Sequence, residues 1–392
     1  MIYQNNHKTL GLYIHWPFCI SKCPYCDFNS HVHRSINEKE WLDALLKTLH
    51  YYHKFTQNHH LTSIFFGGGT PSLMHPTTVE KVIYTACNLW KKKPENLEIT
   101  LEANPNSVEV NNFKNLKQAG VNRVSVGVQS FSMENLKFLG RNHSPSEAIK
   151  AIETGLDIFD NFSFDLIYAL PHQTISEWKA ELKSAMTFNT KHLSLYQLTI
   201  EPNTAFYKQY ERGDWQLPSH ENSNDMYDLT EEILSTKGLI PYEISNYAVP
   251  GFESKHNLTY WRYNDFIGIG PGAHGRIGID GTTHAFKQYS SPIKWLHSVQ
   301  NDNNPGCEED HHLTVQTVFE ERLMMGMRLK EQIIITNNDF AFINPNILND
   351  FNKLHFIHNL TASEQQISFN MTNKGRLVAN AILGKLLRPT MD

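Results

Sequence analysis

An α/β fold, arranged as a partial parallel (β/α)6 barrel with a small, mainly helical C-terminal domain, is what this chain predicts. Three observations carry that expectation. Six short β-rich runs alternate with amphipathic helical patterns through the first half, and most of those runs are apolar nearly throughout, as expected for parallel strands covered on both faces. Helical spacing then returns after Leu313. Short connections between alternating strands and helices imply right-handed crossovers and a parallel sheet. A closed barrel needs eight strands. Six point to an open, partial barrel, with a doubly wound sheet as the alternative that periodicity alone does not separate.

The strand expectations are 11–15, 61–66, 97–102, 122–127, 162–168 and 192–197. Between them lie helices with start and stop signals. Asn37 with Glu40 resembles a capping box, and Trp41, Leu45, Leu49 and Tyr52 line the face that follows. Val79, Val82, Ile83, Ala86 and Trp90 form the next stripe, which Pro94 ends. Ser107 opens a third helix and Gly120 closes it as a left-handed C-terminal residue. Ser144-Pro145 begins a fourth with Pro at its first position. Thr174 with Glu177 begins a fifth, turning Trp178, Leu182 and Met186 inward. Residues 203–300 are rich in Tyr, Asn, Gly and Pro and show fewer clear strands, with a helix over 222–236. Helices over 315–329 and 373–387 follow.

The 392 residues, 40% of them apolar, suffice for a sizeable core. A formal charge of −5 offers nothing to nucleic acid or an anionic membrane. The 21 histidines are scattered, and five cysteines, an odd number, argue against a disulfide framework. The N-terminal stretch lacks a leader pattern, and no run approaches the roughly 18 apolar residues of a membrane span. The expectation is a cytoplasmic protein in a reducing compartment, where thiolates stay available for metal. Peripheral membrane contact and a homodimer are compatible with it.

Three of the five cysteines fall together: Cys19-Ile-Ser-Lys-Cys23-Pro-Tyr-Cys26-Asp-Phe28, directly after the first strand. So short a loop must wrap around whatever its thiolates bind. A structural zinc ion takes four protein ligands, which would need a distant His or Cys such as Cys87 or Cys307. Three thiolates on a four-iron cluster leave one iron free for a small molecule. Gly67-Gly68-Gly69-Thr70-Pro71 follows the second strand, where glycines let backbone approach a ligand closely. Glu102, Gln129 and Asp165 mark the ends or interiors of later strands, where charge is costly unless paired or functional. Arg141 could hold a carboxylate in bidentate fashion.

This C-x3-C-x2-C loop after the first strand of a β/α array resembles the radical S-adenosylmethionine superfamily. The resemblance is close over the first 200 residues and continues to the C-terminus. It implies a [4Fe–4S] cluster on Cys19, Cys23 and Cys26, with S-adenosylmethionine chelated to the fourth iron. Within the superfamily, Tyr13, Tyr25, Gly68, Gly69, Thr70, Glu102, Gln129, Arg141 and Asp165 match the S-adenosylmethionine contacts of the oxygen-independent coproporphyrinogen III oxidase group. That group's oxidase typically has a fourth Cys two residues after the third, where Phe28 stands here, and a longer segment before the first strand. Both departures resemble the HemW branch, the haem chaperones.

His256-Asn257-Leu258-Thr259-Tyr260-Trp261 matches that branch's HNxxYW haem-binding signature, which implies His256 as an axial haem ligand. His274, in the glycine-rich 269–275 run, is a weaker candidate. The resemblance implies haem, the cluster and S-adenosylmethionine as cofactors, and haem-accepting apoproteins, respiratory enzymes foremost, as partners. Oxidative decarboxylation of coproporphyrinogen III is the alternative activity, and no catalytic residue is assigned. The implied organisation is a radical SAM core over 1–240, a connecting segment over 241–300 with the HNxxYW motif, and a C-terminal helical domain over 301–392.

Overall fold

The computed structural model describes residues 8–33, 36–301 and 304–388; residues 1–7, part of the stretch without a leader pattern, lie outside it. Six strands form the centre: β1 (Thr9–Trp16), β2 (His60–Gly68), β3 (Glu98–Ala103), β4 (Arg123–Gln129), β5 (Asn161–Tyr168) and β6 (His192–Gln197). Each pairs in parallel with the next. All six sequence expectations match these to within two residues.

The sheet also grows outward from both sides of this array. β7 (Ile240–Pro241) and β8 (Asn246–Ala248) add to β6 in antiparallel fashion. On the other flank β9 (Asp265–Ile269) pairs in parallel with β1, and β10 (His274–Ile279), β11 (Thr282–Gln288) and β12 (Cys307–His312) follow antiparallel. One twelve-stranded sheet results, in the order β12-β11-β10-β9-β1-β2-β3-β4-β5-β6-β8-β7. The added strands fall where the sequence shows few strand signals, because runs such as His-Gly-Arg-Ile-Gly-Ile carry little apolar alternation.

The parallel strands are two-faced rather than apolar throughout. Leu12, Ile14, Ile64, Phe66, Ile99, Leu101, Val124, Val126, Phe164, Leu166, Leu193 and Leu195 are buried on one face. Against them pack α1 (Glu38–Thr56), α2 (Pro76–Leu89), α3 (Ser107–Gln118), α5 (Pro145–Ile158) and α6 (Ile175–Met186), with the short α4 (Met133–Phe138) between α3 and α5. The alternate positions carry Ser63, Glu98, Glu102, Arg123, Ser125, Ser163, Asp165, His192 and Ser194. These line a polar lumen, as the two-residue period of a strand requires.

Capping boxes form at Ser144/Glu147 and Thr174/Glu177, and Gly120 ends α3 with φ at +107°. The Asn37/Glu40 box does not form: the Asn37 side chain makes no cap bond, and Glu38 instead accepts from His75 N and Thr78 Oγ1 of the neighbouring element. Ser107 is the first residue of α3, and the Asn106 side chain caps it by accepting from Glu109 N.

After β6 come α7 (Ala205–Glu211), α8 (His220–Ser235), α9 (Lys255–Trp261) and α10 (Pro292–Asn301). A second core then gathers α11 (Val315–Gly326), α12 (Ile347–Lys353) and α14 (Ala379–Leu386), with the short α13 (Asn373–Leu377) leading into α14. With these helices stands a three-stranded antiparallel sheet, β13 (Ile333–Thr336), β14 (Ile357–Ala362) and β15 (Gln366–Met371), which the sequence pattern does not announce. The helix expected over 373–387 is broken at Val378, whose φ/ψ of −114°/22° leaves the helical region.

Trp178 on α6 is fully buried, stacks on Tyr168 at 5.0 Å and donates from Nε1 to Thr230 Oγ1 of α8 at 2.8 Å. Trp178→Ala removes the ring and this bond together. It is expected to lower stability by about 3–5 kcal/mol, measured by urea unfolding at equilibrium.

Candidate functional site at the cysteine loop

At the end of β1 the chain forms a short parallel ladder, Phe18–Cys19 against His31–Val32, and the loop between its arms carries Cys19, Cys23 and Cys26. All three thiols are free and half-buried. Two backbone bonds seat the loop on the end of β2: Gly69 N donates to Trp16 O at 2.7 Å and Thr70 N to Phe18 O at 2.8 Å. A side chain at position 69 would place its Cβ 2.7 Å from Phe18 O, and one at Gly68 (φ +106°) would meet the His15 ring at 2.6 Å. The first demand on these glycines is therefore close approach of chain to chain. From the opposite side, Phe206 N donates to Pro24 O at 2.9 Å, and the Phe206 ring lies 6.2 Å from that of Tyr25.

The sulfurs receive hydrogen bonds from Thr70, just past β2, and from Arg141, just past α4. Thr70 Oγ1 donates to Cys19 Sγ at 3.4 Å, and Arg141 Nη1 to Cys23 Sγ at 3.4 Å. Arg141 Nη2 also donates to Asn104 Oδ1 at 2.6 Å and to Gly127 O at 2.8 Å. Burial pushes the Cys19 and Cys26 thiols up from their ordinary range, while the Thr70 hydroxyl partly offsets this at Cys19. Among the described residues, no three His, Cys, Asp or Glu side chains are gathered as for a single metal ion. Cys87 lies on the buried face of α2, and Cys307 Sγ donates to Glu309 O on edge strand β12. Donors aimed at individual sulfurs, on a loop whose thiols are not gathered for a single ion, fit a cluster that brings its own sulfide.

Deeper in the lumen stand Tyr13, Glu102, Gln129 and Asp165. Gly68 N donates to Glu102 Oε2 at 3.3 Å and Ser125 Oγ to Asp165 Oδ1 at 3.0 Å. Burial, and then the charge of Asp165, pushes the Glu102 carboxyl up to about 8. Burial also raises Asp165 to about 6 against the pull of Ser194, Ser125, Arg123 and Arg141. Gln129 closes β4 with φ at +68°, and its buried Oε1 has no partner. An orphaned acceptor beside two carboxyls suits a polar, cationic small molecule carrying hydroxyl or ammonium donors.

The structure thus brings Cys19, Cys23, Cys26, Tyr13, Tyr25, Gly68, Gly69, Thr70, Glu102, Gln129, Arg141 and Asp165 to one mouth. His256 lies apart from the sulfurs, although its ring stacks on that of Tyr13 at 6.3 Å. It begins α9, which enters the opposite end of the lumen beside Gly11, Ser63 and Glu98. Its ring is 1% exposed, stacks on Phe65 at 4.8 Å, and shares Nδ1 with Ser63 Oγ at 2.9 Å and Nε2 with the Tyr260 hydroxyl at 2.8 Å. Burial lowers its imidazole to about 3, so the ring is neutral. His274 is exposed at the start of β10, and the glycine-rich turn before it packs under the cysteine loop. There a Cβ on Gly270 would lie 2.3 Å from His15 O, and Asn29 Nδ2 donates to Pro271 O at 2.9 Å.

His15 and Asn104 belong to this mouth and escape the sequence reading. His15 links the Tyr13 hydroxyl (3.0 Å, Nδ1) to Asn29 O (2.9 Å, Nε2). The signal that singles out Glu102 and Gln129, a polar group at or next to the end of an apolar strand, applies equally to both.

Comparison with known proteins follows this geometry. The family model described as the radical SAM superfamily matches residues 13–185. "Heme chaperone HemW" of Bacillus subtilis is 33% identical over 384 residues, covering 96% of this chain and 98% of that protein. The protein of the same name from Escherichia coli is 42% identical over 271 residues, 68% of this chain and 70% of that one. "Radical S-adenosyl methionine domain-containing protein 1, mitochondrial" of Danio rerio is 37% identical over 346 residues, 86% and 76% of the two chains. The solved structure of coproporphyrinogen III oxidase (HemN) from Escherichia coli superposes with a TM-score of 0.79 over 97% of this chain and 91% of that one. At 21% identity, this likeness is one of fold.

The lumen carboxyls make stability depend on pH. An acid whose folded value is raised keeps its proton while the unfolded chain loses it, so stability falls as pH rises between the two values. For Glu102 the window runs from its ordinary 4.5 to about 8. The ligand-free protein is expected to lose stability across that window, and Glu102→Gln to flatten the loss, as read from thermal midpoints at stepped pH.

Proposed function

The chain belongs to the HemW family of the radical S-adenosylmethionine superfamily, and on that premise we propose that it is a haem chaperone, binding haem and passing it to acceptor apoproteins. The family implies a [4Fe–4S] cluster and S-adenosylmethionine. The observation that carries the reading to this chain is the cysteine loop, with donors from Thr70 and Arg141 on two of its three sulfurs. In this reading Cys19, Cys23 and Cys26 hold the cluster, whose unligated iron receives S-adenosylmethionine. When bound, the cluster supplies an electron and an open coordination position. Gly68, Gly69 and Thr70 form the backbone wall beside it. Glu102 and Asp165 present carboxyl oxygens, Gln129 its orphaned acceptor, and Tyr13 and Tyr25 ring faces, to a cofactor entering from the mouth. Arg141 keeps the loop in register with β3 and β4.

Haem is assigned to His256 through the HNxxYW match. Its Nε2 already holds the Tyr260 hydroxyl, so iron ligation there requires that bond to open and α9 to draw back from the lumen. Acceptor apoproteins follow from the name of the relatives, and respiratory enzymes are the class proposed. Among the described residues no helix is long and apolar enough to cross a membrane. Coproporphyrinogen decarboxylation is the weaker reading, since its support is likeness of fold, and Phe28 stands exposed where the oxidase typically has a fourth Cys.

Two measurements test this. Anaerobic reconstitution is expected to load about four irons and four labile sulfides per chain, the content of one [4Fe–4S] cluster. Loading should fail in Cys19→Ala, Cys23→Ala and Cys26→Ala, and a protein holding only zinc overturns the cluster. Haem titration is expected to show stoichiometric uptake, weakened about tenfold or more by His256→Ala and strengthened by Tyr260→Phe, which frees Nε2; each such tenfold step is about 1.4 kcal/mol. Unchanged haem affinity in His256→Ala removes His256 as ligand, and turnover of coproporphyrinogen III by the reconstituted protein favours the oxidase.

A further inference from the structure

We propose that Asn104 is the positioning residue that sets the hydrogen bonds to the cluster sulfurs. It directs Arg141 onto Cys23 and the Thr70 hydroxyl onto Cys19. The proposal rests on the reading of the three cysteines as cluster ligands and adds a residue to it that touches neither cysteine nor cofactor.

Asn104 directly follows the last residue of β3, between the two donors. Its Oδ1 accepts from Arg141 Nη2 at 2.6 Å and its Nδ2 donates to Thr70 Oγ1 at 3.3 Å. The chemistry fixes which way the amide points. A guanidinium only donates, so it must face the amide oxygen, and the amide nitrogen must then face the threonine. A hydroxyl has one hydrogen. By donating to the Thr70 oxygen, Asn104 leaves that hydrogen free for Cys19 Sγ, 3.4 Å away. On the other arm, holding Nη2 turns the guanidinium so that Nη1 reaches Cys23 Sγ at 3.4 Å.

Asn104 is itself clamped. Its backbone N donates to Glu109 Oε2 at 2.6 Å, and its Nδ2 also lies 3.3 Å from Glu109 Oε1. Glu109 is 1% exposed and is held by Ser72 Oγ and Asn106 Nδ2. One buried carboxylate thus fixes one amide, and the amide polarises two donors toward two sulfurs. Hydrogen bonds to cluster sulfur withdraw charge and raise the reduction potential.

The test uses the full-length, anaerobically reconstituted protein without haem. Asn104→Leu, neutral and close in size, is expected to move the cluster midpoint potential to more negative values and to alter the electron paramagnetic resonance of the reduced cluster. Thr70→Val is expected to reproduce part of that shift. The double variant should shift by less than the sum, because the Thr70 arm is then lost only once. Parental potential and spectrum in a fully loaded Asn104→Leu protein overturn the proposal, as does strict additivity in the double variant. If Asn104→Leu blocks loading, Thr70→Val decides alone, and a parental potential there overturns it. A parent that takes up no iron and sulfide overturns the cluster reading itself, and that failure shows before any variant is made.

Discussion

One guanidinium ties the mouth of this molecule together. Arg141 reaches the cysteine loop, the residue after β3 and a carbonyl of β4 at once, through Cys23, Asn104 and Gly127. A buried cation is tolerated only where its donors are met, so the three segments must keep their spacing for the charge to stay. That demand fixes the eight-residue cysteine loop against the sheet. The glycines at 68 and 69 serve the same end by letting the turn after β2 lie against Phe18 and His15 without a side chain between.

The sheet supplies the rigidity through its two-faced strands. Leucine, isoleucine, valine and phenylalanine on one face lock under the helices, which leaves the other face free to be polar without unfolding the core. The lumen accordingly holds groups that an apolar interior would reject, among them Glu102 and Asp165, both shifted toward their protonated forms. The proton that Glu102 keeps up to about pH 8 limits the repulsion between two carboxyls in one confined space.

Much of this was legible in the chain. Strand positions followed from apolar runs, and the candidate cysteine loop from the spacing of Cys19, Cys23 and Cys26. Asp165 stood out because a charge inside an apolar run needs a reason. What was hidden depended on partners far away in sequence. The strands β7 to β12 form by pairing onto an existing sheet, so their own residues need little apolar pattern. Asn104 looks like an ordinary loop polar residue until Arg141 and Thr70 are brought to it, 37 and 34 positions away. His256 reads as an accessible ligand in sequence, whereas α9 turns it into the lumen, where Ser63 and Tyr260 satisfy it.

The seating of α9 shapes how the whole interior communicates with its surroundings. Its first turn is held by the Glu98 carboxylate through the backbone of Lys255 and His256, and around its far end Arg262 pairs with Glu331 and Arg328 lies over Trp261. Wedged between the β/α unit and the C-terminal unit, it corks the vessel at the strands' starting ends. Opening that end means giving up the two backbone bonds to Glu98 and the Ser63 and Tyr260 bonds of His256 together.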